Sequence, residues 1–325
     1  MEKRVLLAFL LVLVLSILFV TATNEINIDT KAYSCLENKV KNRCSSLSAE
    51  ERIFSLLAIG ECKSEVASDL NTHFNSNTKL TAQAILALNK IGSGTDAAEK
   101  WLVSQNKTPE GMDWLLQIES NNVTACTVSY GGSSYDISVN ADKTLSGNTG
   151  SCLGIYEDYW LKISQSCYNK EFTISCDNSF LTTLLYKKTN SEVIYVSGNT
   201  HAASGGGSTT EKVSSFCFKQ GNSCNYESSL WAALVLGYIG YDVSSYLPYL
   251  VTMADEPENK QYLPESFLYS LTNNFRNELL LQQFPEGFWK VSNDKFYDTA
   301  LALLPFQSET LEEKTNTINW LGKVQ

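Results

Sequence analysis

Histidine, the commonest metal ligand and general base, occurs only twice in the 325 residues, at positions 73 and 201. None of the nine cysteines stands in a Cys-x-x-Cys pair, so no structural zinc site and no other metal is expected. Basic clusters are missing as well. Lys and Arg number 25 against 35 Asp and Glu, a net charge of −10. That excludes nucleic acid and makes anionic headgroups poor partners. No Gly-x-Ser-x-Gly elbow is present, and Gly205-Gly206-Gly207 lacks the Gly-Lys-Ser/Thr of a phosphate loop. No cofactor is therefore expected, and no residue set demands an enzyme.

One apolar run does occur. Glu2-Lys3-Arg4 precedes Val5 to Val20, apolar except for Ser16. Sixteen helical residues span roughly 24 Å, short of the roughly 30 Å hydrocarbon core. Val20-Thr21-Ala22 resembles a small-residue cleavage site. Residues 1–22 thus read either as a cleaved signal peptide or as an uncleaved transmembrane anchor, with 23–31 a polar tether. Either way the rest is expected to be extracytoplasmic, secreted or held at the membrane by its N-terminal helix. The membrane is then a partner if the leader stays on.

Nine cysteines suit such a compartment, as disulfides. They are Cys35, Cys44, Cys62, Cys126, Cys152, Cys167, Cys176, Cys217 and Cys224. On one continuous helix Cys35 and Cys44 would lie about 13 Å apart on opposite faces. A disulfide needs Cα atoms within about 7 Å, so Cys62 is the better partner for one of them unless the helix breaks. The odd total leaves at least one thiol unpaired within the chain. Asn106-Lys107-Thr108 and Asn122-Val123-Thr124 fit the glycosylation pattern at Asn106 and Asn122.

Along the chain, residues 32–114 carry helical spacing. Ser48 and Glu51 form a capping box before Ile53, Leu56 and Leu57, and Gly60 closes that helix. Leu80, Ala84, Ile85 and Leu88 share a helix face. From 115 to 218 the period falls to two, as in Cys126, Val128, Tyr130, the turn at Gly131-Gly132, then Tyr135, Ile137, Val139. Phe172, Ile174 and Cys176 repeat the alternation, a strand is expected over 192–197, and His201 to Thr210 reads as a flexible loop. Helical spacing returns over 225–325, with helices expected from Tyr226 to near Gly240, over Pro264–Leu281 and over Asp298–Leu304. The fold class is α+β, with an antiparallel β-sandwich-like domain inserted into a helical series.

A short string is written twice. Pro109-Glu110-Gly111-Met112-Asp113-Trp114 follows Thr81-Ala82…Leu88 and Trp101-Leu102…Gln105. Gln283-Phe284-Pro285-Glu286-Gly287-Phe288-Trp289 precedes Asp298-Thr299-Ala300-Leu301-Ala302-Leu303 and Trp320-Leu321. The second copy resembles the Gln-x-x-Asp-Gly-x-Trp repeat of the squalene cyclase and protein prenyltransferase superfamily. The resemblance covers about 190 helical residues and none of the β region. It implies a partial α/α toroid in which each helix pair needs a neighbour to bury its apolar face. Activity does not carry over. The Asp-x-Asp-Asp acid, the zinc ligands and the Gly-Cys-Gly-Glu-Gln thioester of that superfamily are all absent.

The weak catalytic candidates are Asp298, Asp294 and Glu286. Asp298 reads first as a cap for a helix starting at Thr299, where its charge meets the helix dipole. A Ser-His-Asp triad around His201 could be assembled on paper, but serines are abundant and no Gly-x-Ser-x-Gly elbow singles one out. The expectation is a non-enzymatic surface or secreted interaction scaffold, its partner a protein or glycan at the cell surface. The alternative is a glycan-active hydrolase or lyase, or a degenerate terpene-cyclase-type enzyme, using the concave face of the toroid.

Overall fold

The structure, a computed structural model, describes residues 32–72 and 76–324. It is a mixed α+β architecture with three antiparallel sheets, and it divides into two units. One comprises the described chain up to Ser104, Leu280–Lys290 and the chain from Lys295 on. The other comprises Gln105–Leu279 and Val291–Asp294.

The first unit is helical. Residues 32–40 form α1, followed by α2 (Ala49–Ile59), α3 (Lys63–Thr72), α4 (Thr78–Lys90) and α5 (Asp96–Ser104). The capping box is present at α2, where Ser48 Oγ accepts from the Glu51 N–H and Glu51 accepts from the Ser48 N–H. Gly60 ends the helix in the left-handed conformation. Cys44 and Cys62 are disulfide-bonded across α2, and Cys35 is an exposed free thiol. The face read from Ala84, Ile85 and Leu88 is buried, and α4 packs on α2, α3 and α5.

Later in the chain, α9 (Arg276–Leu280) leads into the turn, α10 (Lys295–Leu303) and α11 (Glu312–Val324). The Gly287 N–H donates to Phe284 O at 2.8 Å with φ at +99°. A Cβ there would stand 2.6 Å from Asn316 O, so only glycine lets the turn reach α11. Trp289 is fully buried, and its N–H donates to Thr299 Oγ1 of α10. The Gln283 amide donates to Glu313 O and Thr317 Oγ1 of α11. Lys295 Nζ sits 5.2 to 5.6 Å from the ring centres of Phe288, Trp320 and Phe296.

The second unit carries the sheets. Its strands are β1 (Asn106–Lys107), β2 (Met112–Ser120), β3 (Thr124–Tyr130), β4 (Ser133–Val139), β5 (Leu145–Gly147), β6 (Leu153–Tyr156) and β7 (Trp160–Ile163). Then come β8 (Glu171–Cys176), β9 (Phe180–Lys188), β10 (Tyr195–Ala203), β11 (Ser208–Lys212), β12 (Cys217–Gln220) and β13 (Ser223–Cys224). One five-stranded sheet runs β10-β9-β2-β7-β6, the other β11-β8-β3-β4-β5, and β1-β12-β13 forms a small third sheet. The hairpin read around Gly131-Gly132 is β3–β4, in the register Cys126↔Ile137 and Val128↔Tyr135. Disulfides join Cys126 to Cys176, Cys152 to Cys167 and Cys217 to Cys224. The unit also holds α6 (Tyr226–Tyr238), α7 (Leu247–Thr252) and α8 (Pro264–Thr272). Helix α6 is buried nearly all round and packs on β12 and α8.

Three local readings shift. The helix expected over Pro264–Leu281 is split into α8 and α9, because Asn273 and Phe275 take positive φ. His201 is not in a loop: it lies on β10 and pairs with Thr182 of β9. The first copy of the turn opens a strand, and Trp114 pairs with Ile163 and Tyr186.

The transmembrane helix, the membrane as partner and the membrane-anchored localisation are corrected. No helix among the described residues is long and apolar enough to cross a membrane. Helices α4, α6 and α11 run thirteen residues each, about 20 Å against a core of about 30 Å. Residues 1–22, which carried the expectation, and the tether 23–31 lie outside the described residues. The cell-surface partner, protein or glycan, loses with the anchor the placement that argued for it.

Candidate functional site

The acids singled out from sequence are not presented as a reacting set. Asp298 is 1 % exposed in the first turn of α10, which begins at Lys295, so it follows the helix start instead of capping it. Glu286 is exposed in the turn. Asp294 is exposed, and its N–H donates to Ser292 Oγ. Among the described residues no group of three His, Cys, Asp or Glu side chains could hold a metal ion. Asn106 on β1 and Asn122 in the β2–β3 turn are both exposed.

His201 did acquire an acid. β10 and β11 are edge strands of the two large sheets, and His201 Nδ1 lies 2.7 Å from Glu211 Oε1. The imidazole is half exposed, whereas the carboxylate is 3 % exposed. The same Glu211 oxygen accepts from Thr182 Oγ1 at 2.6 Å, and Thr182 Oγ1 stands 2.9 Å from Thr209 Oγ1. An imidazole held by a buried carboxylate is oriented as a general base would be. Thr182, however, donates to the carboxylate, and Thr209 stands against Thr182. The cluster clasps β9, β10 and β11 together.

A cleft of about 540 Å³ opens on the β unit, bordered by Gln117, Glu119, Lys143, Tyr159, Trp160 and Leu181 among others. Gln117, Glu119 and Leu181 come from the same face of β2 and β9, set by the register Gln117↔Thr183 and Glu119↔Leu181. Tyr159 stands in the β6–β7 hairpin, whose Glu157 and Asp158 both take positive φ. That turn brings Tyr159 edge-on to Trp160, with ring centres 6.1 Å apart. Tyr159 and Leu181 are exposed. The Lys143 ammonium donates to Ser120 O and Asn121 O, and Glu119 Oε1 accepts from the Gln117 amide. The cleft thus sets Tyr159, Trp160 and Leu181 beside Gln117, Glu119 and Lys143, and these three polar side chains are bonded to other groups of the protein.

Sequence reasoning missed Glu211, Thr182, Tyr159 and Trp160. The string Tyr156-Glu157-Asp158-Tyr159-Trp160 did carry a signal, three aromatics around an acidic turn. Elsewhere in the unit, burial pushes the Tyr168 hydroxyl up to about 12, with the Asp113 carboxylate adding to it. Burial also pushes Tyr186 up to about 12, with a smaller contribution from Tyr195, which stacks on it at 5.6 Å. No family model, curated protein or solved structure matches the chain.

Proposed function

We propose that the chain is a non-enzymatic, disulfide-bonded interaction scaffold of an oxidising compartment, with the Tyr159–Trp160 cleft as its binding face. The observation that carries this reading is the lining of the cleft. Its one carboxylate, Glu119, is engaged by Gln117, whereas hydrolysis of a glycosidic bond calls for two carboxylates about 5–10 Å apart. The exposed Tyr159 ring and half-buried Trp160 beside the bonded Gln117 amide favour binding over turnover. Four disulfides support the compartment.

The finer fold belongs to this proposal. The two five-stranded sheets, with Thr182 of one bonded to Glu211 of the other, favour a sandwich-like β domain. The buried Trp289 and its Thr299 bond favour a toroid-type repeat in the helical unit.

An enzymatic reading has one observation in its favour, the His201–Glu211 pair. The test is retention on a mixed peptide and oligosaccharide array, together with assay of the same ligands for cleavage. The scaffold reading expects a retained and chemically unchanged ligand, lost on Tyr159→Ala/Trp160→Ala. Turnover abolished by His201→Ala or Glu119→Gln in a folded protein would overturn it.

A further inference from the structure

A second cavity in the β unit, of about 410 Å³, lies where β1, the end of β9 and the start of α6 meet the chain following α7. It shares no residue with the Tyr159–Trp160 cleft. Tyr226, Tyr249, Met253 and Tyr262 border it, the first two buried and the last two half-buried. The rings of Tyr226 and Tyr249 stand edge to face, with centres 5.9 Å apart. The Tyr226 hydroxyl donates to Leu250 O at 2.7 Å. Tyr249 is 7 % exposed, yet among the described residues its hydroxyl has no hydrogen-bond partner. A buried phenol ordinarily has one.

The charges bordering the cavity leave one carboxylate over. Lys107 pairs with Glu110 at 3.2 Å and Lys188 with Glu256 at 2.6 Å. Glu258 is exposed at the border, and among the described residues its carboxylate has neither an ion pair nor a hydrogen bond. Next along the chain, Lys260 is shared between Asp255 at 2.7 Å and Glu265 at 3.0 Å, which leaves a second negative charge. Glu265 is 5 % exposed, and its Oε2 is buried without a hydrogen-bond partner. Burial pushes the Tyr226 hydroxyl up, and the Glu265 carboxylate, Tyr249 and Asp255 add to it, so the field at that ring is negative. The positive end of α6 is already met by the Asn225 side chain on the Ser228 N–H and by Glu227 in the first turn.

We infer that this cavity binds a small organic ammonium ion that carries a hydroxyl. Its cationic head lies against the tyrosine rings and Met253 and faces Glu258, and its hydroxyl bonds the Tyr249 phenol. Tyrosine rings attract such cations through their negative faces, most strongly where water is excluded. A bare metal ion does not suit the site, because no group of three His, Cys, Asp or Glu side chains among the described residues could hold one. The volume falls in the range of about 300–1,000 Å³ usual for small-molecule sites. The site stands whether or not the Tyr159–Trp160 cleft binds anything.

The competing reading is a polar seam filled only by water, and calorimetric titration of the whole protein separates the two. Choline should bind saturably and at least about tenfold tighter than 3,3-dimethylbutan-1-ol, which has its shape and hydroxyl without the charge. Glu258→Gln should weaken choline and tetramethylammonium alike, about threefold or more. Tyr249→Phe should weaken choline about threefold or more and leave tetramethylammonium, which has no hydroxyl, unchanged. Glu258 is exposed, so its variant remains informative should Tyr249→Phe fail to fold. Choline binding no tighter than the neutral alcohol, or unchanged in Glu258→Gln, overturns the inference.

Discussion

Replacing Cys126 and Cys176 together by alanine tests how the β unit is held. The two residues are register partners on β3 and β8, so in the native state the disulfide joins strands already paired from Cys126↔Cys176 to Ser129↔Thr173. Its effect therefore falls mainly on the unfolded chain. Loop-closure entropy for a sequence separation of 50 amounts to about 4 kcal/mol, against about 2.4 kcal/mol for the separation of 7 between Cys217 and Cys224. Both sulfurs are buried, each residue 3 % exposed, and the void left by alanine adds about 1 kcal/mol. Native-state hydrogen exchange of the β3 and β8 amides reads the loss within this unit alone. The opening free energy should fall by about 5 kcal/mol, and by about 3 kcal/mol for Cys217→Ala/Cys224→Ala, where the shorter loop and one buried sulfur contribute. If the short-loop variant loses as much as the long-loop one, native-state geometry and not chain entropy sets the contribution, and the argument fails.

Gly287→Ala should unfold the turn of the helical unit, because positive φ and a Cβ 2.6 Å from Asn316 O act together. A loss of about 3 kcal/mol or more is expected from the thermal melt, against about 1 kcal/mol for Gly111→Ala, where φ is +76° but the space is open. Glu211→Ala should cost about 2–3 kcal/mol by stranding Thr182 and His201, with Glu211→Gln milder, as read by chemical denaturation of the two variants side by side. Tyr168, Tyr186 and Tyr249 are each raised to about 12 by burial. Their folded values exceed the unfolded value near 10, so their stabilising contribution is complete below about pH 10 and is lost as pH rises towards 12. Phenolate absorbance for these three should appear only with loss of circular dichroism, and early ionisation with the fold intact would refute their burial.

Local chemistry made parts of both units legible. The Ser48–Glu51 box, Gly60 and the Gly131-Gly132 turn act within a few residues, so their reading needs no tertiary knowledge. Exclusion by helix length likewise pointed to Cys62 as a partner, and Cys44 takes it. His201 was misread because its strand is stabilised by Thr182, nineteen positions away in the chain, and by Glu211 on another sheet. Lys187 stands for the wider case. A lysine in a strand reads as solvent-facing, and only the joint register of β9, β2, β7 and β6 carries it under Tyr156. The site residues are the ones whose partners are distant in sequence.

The twice-written turn separates local from tertiary information. Gly111 and Gly287 both take positive φ, so the shared Pro-Glu-Gly string does specify a turn in each place. The two copies diverge beyond the glycine. After Gly111 comes Met-Asp-Trp-Leu-Leu-Gln-Ile, which pairs as β2 between β7 and β9 and carries Trp114 into the sheet core. After Gly287, Trp289 is locked to Thr299, and the glycine itself is pressed against Asn316. The string therefore sets a chain reversal, and the sequence beyond it decides whether the tryptophan packs on a helix or in a sheet. In the first copy that choice has a further consequence. Asp113 on β2 accepts from Lys162 of β7 and from Thr189 just past β9, so the residue after the turn ties neighbouring strands together. A segment that reads as structural punctuation thus leads, in the folded β unit, into the central strand of a five-stranded sheet.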